Sequence, residues 1–239
     1  MAVIETKNLK KVYHETVVPV VAIDGVSLAF ERGEFTAIVG PSGCGKTTLL
    51  NMLGGLDAPT DGQVVIEGED ITRLSPRKLV DFRLNNIGFV FQAYNLIPVL
   101  TVRENVEFIM VLQHRSKTEI ETSVSQFLEA MGMSDKIDVR PKYLSGGQQQ
   151  RVAVARALAS HPKFILADEP TANLDSHSAA TLLDLMWTMN KKENMTFIFS
   201  THDQRVMDHA RRIITLEDGK VARDEKHVSK DESKVSAAL

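Results

Sequence analysis

Gly40-Pro41-Ser42-Gly43-Cys44-Gly45-Lys46-Thr47-Thr48 stands between an apolar run, Phe35 to Val39, and a helix-like stretch, Thr47 to Leu53. Its spacing is G-x-x-x-x-G-K-[ST], and it reads as a phosphate cradle. Only a glycine-rich backbone curls closely enough to aim several successive N–H donors at one oxyanion. Lys46 adds a mobile positive charge for β- and γ-phosphates, Thr47 a hydroxyl for Mg²⁺, and the new helix its positive dipole end. Gly40, Ser42, Gly43, Cys44, Gly45 and Thr48 complete the cradle. The plain alternative is a strand-to-helix turn that binds nothing; the preceding strand, the following helix and the Lys-Thr pair argue against it.

Bulk properties narrow the classes. The 239 residues accommodate one sizeable domain or one domain with an inserted lobe, and 43% apolar content is ample for a core. A net charge of −3 provides no global basic field, so no nucleic-acid partner is expected. The single cysteine, Cys44, cannot form an internal disulfide and suits a reducing compartment. It reads as a small residue filling a loop position, because no second thiol could resolve a redox step. No apolar run reaches the roughly eighteen residues of a membrane span, and Met1 to Thr6 lacks a signal-peptide pattern. The chain is therefore expected to work at a membrane only through a partner that supplies the spans.

Around the cradle, β-branched and apolar residues from Val3 to Phe30 predict strands of an antiparallel sheet, and Gln63 to Ile66 reads as another short strand. Ser75-Pro76 opens a helix to about Asn85, and Ile87 to Phe91 reads as a buried strand that stops at Gln92. Helical spacing then takes over from Thr101 to Ser160, with Ser116 and Glu119 forming a capping-box pair. This predicts an inserted helical lobe over about 95–160. Phe164 to Ala167 and Thr196 to Ser200 look like buried strands joined by an amphipathic helix carrying Ala179, Leu182, Leu183 and Met186 on one face, which implies a parallel sheet. A last hairpin turns at Glu217-Asp218-Gly219. The fold class is α/β, with one domain over 1–223 and a charged tail, 224–239, expected to be disordered.

Two further stretches carry chemistry. Phe164 to Ala167 runs into Asp168-Glu169, and adjacent acids at a strand tip face opposite ways. Asp168 can serve Mg²⁺ while Glu169 polarises an attacking water as general base; a polar turn after a strand is the plain alternative. Leu144-Ser145-Gly146-Gly147-Gln148-Gln149-Gln150-Arg151, followed by a helical pattern, is a second anion-binding helix start. The cradle already surrounds much of a triphosphate, so the simplest use of the second start is on another chain's nucleotide.

The ordered set GPSGCGKTT, Gln92, LSGGQQQR, FILADEP, ANLD and His202 resembles the ATP-binding subunits of ABC transporters, over essentially Met1 to Gly219. The resemblance implies a P-loop NTPase core with an antiparallel β subdomain and an inserted α-helical subdomain. It also implies a head-to-tail homodimer with two ATP between the cradle of one chain and Ser145, Gly146, Gly147 and Gln148 of the other. By the same resemblance Tyr13 stacks on adenine, Gln92 senses Mg²⁺ and the attacking water, Asp175 communicates between sites, and His202 contacts the γ-phosphate. Taken alone, a tyrosine in a strand or a histidine at a strand end is more often structural.

Phe91 to Pro98, with Leu100-Thr101-Val102 and Glu104-Asn105-Val106, looks like the branch serving lipoprotein release (LolD type) and macrolide export (MacB type). The implied partner is a separate integral membrane permease of the FtsX/MacB-like kind, met at the cytoplasmic face of the inner membrane. A regulatory ATPase resembling the FtsE type, which signals to an envelope enzyme without transport, is the alternative. DNA-repair and ribosome-associated members would need long coiled coils or tandem nucleotide domains, and neither pattern is present.

Overall fold

The computed structural model describes residues 2–14 and 18–226. The chain begins with β1 (Ala2–Tyr13), β2 (Val20–Val26), β3 (Ala29–Glu31) and β4 (Phe35–Val39), then α1 (Lys46–Leu53). β5 (Asp61–Ile66), β6 (Glu69–Asp70), α2 (Pro76–Asn86) and β7 (Ile87–Val90) follow. Next come the helices α3 (Val102–Leu112), α4 (Lys117–Ala130) and α5 (Gly146–Ala159). β8 (Phe164–Asp168), α6 (Ser176–Glu193), β9 (Thr196–Ser200), α7 (Gln204–His209), β10 (Arg212–Glu217) and β11 (Lys220–Lys226) complete it.

Two sheets result. One has the order β2-β1-β5-β6 with β3 also on β1, and every pairing in it is antiparallel. The other has the order β11-β10-β4-β9-β8-β7, parallel throughout except for the β10-β11 hairpin. Strand alternation divides the core between the faces of this second sheet. Phe35, Ala37, Ile165, Ala167, Phe197 and Phe199 pack with α3, α4, α5 and α6. Ile38, Phe164, Leu166 and Ile198 face the other way, onto α1 and the antiparallel sheet. Helix α1 thus lies sandwiched between the sheets by Leu49, Leu50, Met52 and Leu53, each side chain contributing about 1.5–3 kcal/mol of burial.

The helical lobe is held by capping as well as by burial. Thr101 with Glu104 and Ser116 with Glu119 each form a complete capping box, and Val106, Met110, Val124, Phe127 and Leu128 point into one cluster. Ala179, Leu182, Leu183 and Met186 are all buried on α6. Two boundaries differ from expectation. β7 stops at Val90, one residue short, leaving Phe91 in the loop. The tail begins later than 224: β11 runs to Lys226 because Arg212, itself buried, donates from Nε and Nη2 to both carboxylate oxygens of Asp224 at 2.7 Å. The remainder of the charged segment, 227–239, lies outside the described residues.

Candidate active site

β4, β9 and β8 are neighbours in the parallel sheet, and their carboxyl ends deliver the cradle, the segment Thr201–His202 and the Asp168-Glu169 pair to one edge. Gly45 caps α1 in the left-handed region at φ 105°. A Cβ there would lie 2.3 Å from the carbonyl oxygen of Ala22, so both conformation and space demand glycine. Gly40 is similarly confined: a Cβ there would lie 2.2 Å from Leu216 O. Cys44 is buried behind this turn and its carbonyl accepts from Gly219 N–H at 3.1 Å, in keeping with a space-filling role.

The Lys46 ammonium donates to the carbonyls of Gly40 at 2.8 Å and Pro41 at 3.1 Å, folded back over the loop it must serve. Thr47 Oγ1 donates to Asp168 Oδ1 at 3.1 Å. A hydroxyl and a carboxylate at this separation form a hard-oxygen pair that fits Mg²⁺, which binds few protein oxygens and completes its shell with water and phosphate. Glu169 turns the other way. It sits at φ 46°, a conformation costing about 1–3 kcal/mol, and is held there by its N–H to Ser200 O at 2.8 Å. His202 Nδ1 donates to Glu169 Oε1 at 2.7 Å and Thr201 Oγ1 to Oε2 at 3.3 Å. The glutamate side chain is 15% exposed and the imidazole 73%, so the carboxylate is sheltered beneath a histidine that faces outward.

The remaining sequence-predicted residues divide into two groups. Tyr13 lies at the end of β1 with its hydroxyl donating to Asp57 Oδ2 at 2.7 Å and the Lys11 ammonium 4.9 Å from its ring centroid. Gln92 is exposed, and its carbonyl accepts from Asn173 Nδ2 at 3.0 Å. Ser145, Gly146, Gly147 and Gln148 sit on a different set of neighbours. Ser145 and Gln148 satisfy each other in a capping box, with Ser145 N–H to Gln148 Oε1 at 2.9 Å and Gln148 N–H to Ser145 Oγ at 3.3 Å. A Cβ on Gly146 would meet Tyr94 Oη at 2.7 Å, and one on Gly147 would meet Ser178 Oγ at 2.8 Å. Asp175 caps α6, accepting from the N–H groups of His177 and Ser178 at 3.0 Å and from Ser178 Oγ at 2.6 Å. The Ser178 hydrogen bonds hold its carboxyl below the ordinary value.

The profile of the ABC transporter family matches residues 23–172. The chain belongs to the ABC transporter family. As an ABC-type ATPase it shares 39% identity with the lipoprotein-releasing system ATP-binding protein LolD of Legionella pneumophila, over 91% of this chain and 96% of that protein. It is 44% identical to the macrolide export ATP-binding/permease protein MacB of Hyphomonas neptunium, covering 92% of this chain and 34% of MacB. Among solved structures it resembles the ATP-binding cassette MJ0796 of Methanocaldococcus jannaschii in a dimeric post-hydrolysis state bound to ADP and Pi. That resemblance has a TM-score of 0.86 at 41% identity, over 93% of this chain and 98% of that one. The fold and the ATPase activity expected from the motifs are thereby confirmed.

Sequence reasoning missed a layer of residues behind the ABC motifs. Arg156 on α5 donates to the carbonyls of Asn95 at 2.6 Å and Tyr94 at 3.0 Å, fixing two successive left-handed residues of the loop after Gln92. Asp203, directly after His202, binds Thr171 and Arg205. The Asp203 signal was present as an N-cap before the short α7; that for Arg156 was not, since its partners are backbone carbonyls some sixty positions away.

Proposed function

We propose that this ABC ATPase closes head-to-tail with a second copy of itself around two Mg-ATP, and that closing and reopening drive a membrane permease. The permease is of the lipoprotein-release or macrolide-export type, as the names LolD and MacB indicate for its relatives. The observation that carries the reading is the meeting of Lys46, Thr47, Asp168, Glu169 and His202 at one sheet edge, while Ser145, Gly146 and Gly147 lie against Tyr94 and Ser178. The cradle and the signature turn are therefore read as halves of sites completed between chains, and the dimeric cassettes of MJ0796 support that reading.

Within each site Lys46 would leave the carbonyls of Gly40 and Pro41 for the phosphates, and Tyr13 would stack on adenine. Thr47 and Asp168 would hold Mg²⁺, which when bound neutralises phosphate charge. Glu169 accepts a proton from the attacking water, with its orientation fixed by Ser200 and Thr201. His202, open to the outside, would turn its ring N–H from Glu169 to the developing charge on the γ-phosphate. Gln92 would sense metal and water, and Asp175 would carry the state of one site to the other.

The loop opened by Gln92 also walls a groove of 440 Å³ lined by Val80, Phe89, Phe91, Ile97, Phe108 and Arg156. We read this groove, which shares Phe91 and Asn95 with the Gln92 loop, as the surface on which a permease segment would rest. Among the described residues no helix is long and apolar enough to cross a membrane. On the present reading the ATPase works on the cytoplasmic face of the membrane, beside a permease that supplies the spans. Two variants test the chemistry. Glu169→Gln should abolish turnover while ATP still binds, and Asp168→Asn should weaken the Mg²⁺ dependence itself. Turnover of Glu169→Gln at the parental rate would contradict the assignment of the base.

A further inference from the structure

His202 is carried on a three-residue connection, Thr201 to Asp203, between β9 and α7, and its side chain is largely exposed. An exposed side chain on so short a segment acts reproducibly only if its neighbours are fixed. Asp203 supplies the fixing. An N-cap aspartate needs one oxygen, and Oδ1 meets that need by accepting from Arg205 N–H at 2.9 Å. Oδ2 does something that capping does not require: it accepts from Thr171 Oγ1 at 2.7 Å, two residues beyond Glu169 and 2% exposed. Arg205 then grips the same carboxylate from Nε at 2.9 and 3.1 Å and from Nη2 at 2.7 Å. Its Nη1 reaches Ser176 O at 3.4 Å, immediately after Asp175.

We propose that Asp203, with Arg205, is a positioning pair that ties His202 to the Thr171–Asp175 turn between β8 and α6, so that this turn and the Thr201–Asp203 connection move as one body. Residues 201, 202 and 203 bind 169, 169 and 171 in turn: Thr201 to Glu169, His202 to Glu169, Asp203 to Thr171. The Asp203 N–H donates to Thr201 Oγ1 at 3.0 Å, closing the circuit. Burial acts to raise the pKa of Asp203, but the hydrogen bonds from Arg205 and Thr171 outweigh it and keep the carboxylate charged. The guanidinium fork is planar and bidentate, which makes the link stiff as well as strong. The consequence is that a change at Asp175 reaches His202 through Arg205 and Asp203 without passing through Glu169. This inference rests on the site reading above, in which His202 and Asp175 serve ATP turnover.

The test uses the full chain with Mg-ATP. Thr171→Val removes the hydroxyl, and Thr171→Ser returns it. Misplacing a reacting group costs about a hundredfold per ångström, so Thr171→Val and Asp203→Asn should each lower kcat by about tenfold or more. KM for ATP should stay within about twofold, since neither side chain contacts the cradle. The Hill coefficient for ATP should fall towards unity as the turn carrying Asp175 loosens, and Thr171→Ser should recover both kcat and cooperativity. Parental kcat and cooperativity in Thr171→Val would overturn the proposal. So would a fall in kcat and melting temperature together with a rise in KM that Thr171→Ser does not repair, because that marks a fold defect. His202→Ala in parallel separates the layers: turnover at the parental rate there would contradict the site reading itself.

Discussion

The cradle and the signature turn are both glycine-rich helix starts, yet they are built by opposite means. At the cradle, Gly45 is left-handed, and α1 begins with no side chain capping it. The first amides of α1 have no side-chain acceptor from the cap, and Lys46 bonds its own loop's carbonyls. At the signature turn, Ser145 is extended and closes α5 with a complete capping box. Its glycines are helical, and they are needed for room beside Tyr94 and Ser178. One start is shaped by conformation and presents donors from the outset. The other is shaped by space and satisfied by its own chain until another surface arrives. A helix start of the second kind contributes to a site only when something is pressed against it, which is what a head-to-tail second copy would do.

The largest effect that could break this comparison is expected at Lys46. Lys46→Ala should weaken ATP binding about a hundredfold or more, the worth of one or two charge-assisted hydrogen bonds, read by equilibrium binding of labelled ATP. Near-parental affinity would mean that the cradle does not hold phosphate through this cation. The next contrast is between the glycines. Gly45→Ala should lower stability by about 3 kcal/mol or more, because φ 105° and the Ala22 carbonyl both oppose a methyl group. Gly146→Ala meets only the end of the Tyr94 side chain and sits in a helical conformation, so its unfolding free energy from denaturant titration should change by less than about 1 kcal/mol. Equal losses would erase the distinction between conformational and spatial glycines.

The smallest effect concerns Asp175, beside the signature turn. Its folded pKa is lowered, so the folded chain holds that proton less tightly than the unfolded chain does. The stabilisation is complete above the unfolded value of about 4 and fades as pH falls through the folded value. Asp175→Asn should therefore melt below the parent at neutral pH and converge with it in acid. A gap independent of pH would place the stabilisation in the shape of the cap rather than in its charge.

Local patterns made most of the fold legible. Apolar runs identified β4, β8 and β9, and the Ser116–Glu119 spacing identified the start of α4, since strand burial and capping are properties of adjacent residues. The same holds for the gathering of Lys46, Thr47, Asp168 and Glu169 at one sheet edge, since each stands in a contiguous motif at the end of a strand. What escaped was long-range. The pairing of Arg212 with Asp224 extends the last strand to Lys226, and nothing in a charged, polar stretch announces an arginine in another strand. The second use of Asp203, beyond its N-cap, is not announced by local sequence because its partner Thr171 lies in a different connection. The capping role of Ser145 was hidden by its resemblance to an anion site: serine, glycine and helix start are common to both.

The central claim is that each site needs a second copy, and sedimentation in Mg-ATP tests it most directly. On a Glu169→Gln background, which blocks reopening, the chain should move from 26.5 kDa to twice that mass when ATP is added. Adding Ser145→Arg should leave labelled ATP bound with near-parental affinity while the species stays at the monomer mass, because an arginine cannot enter the turn beside Gly146. A full dimer from the double variant would contradict the account.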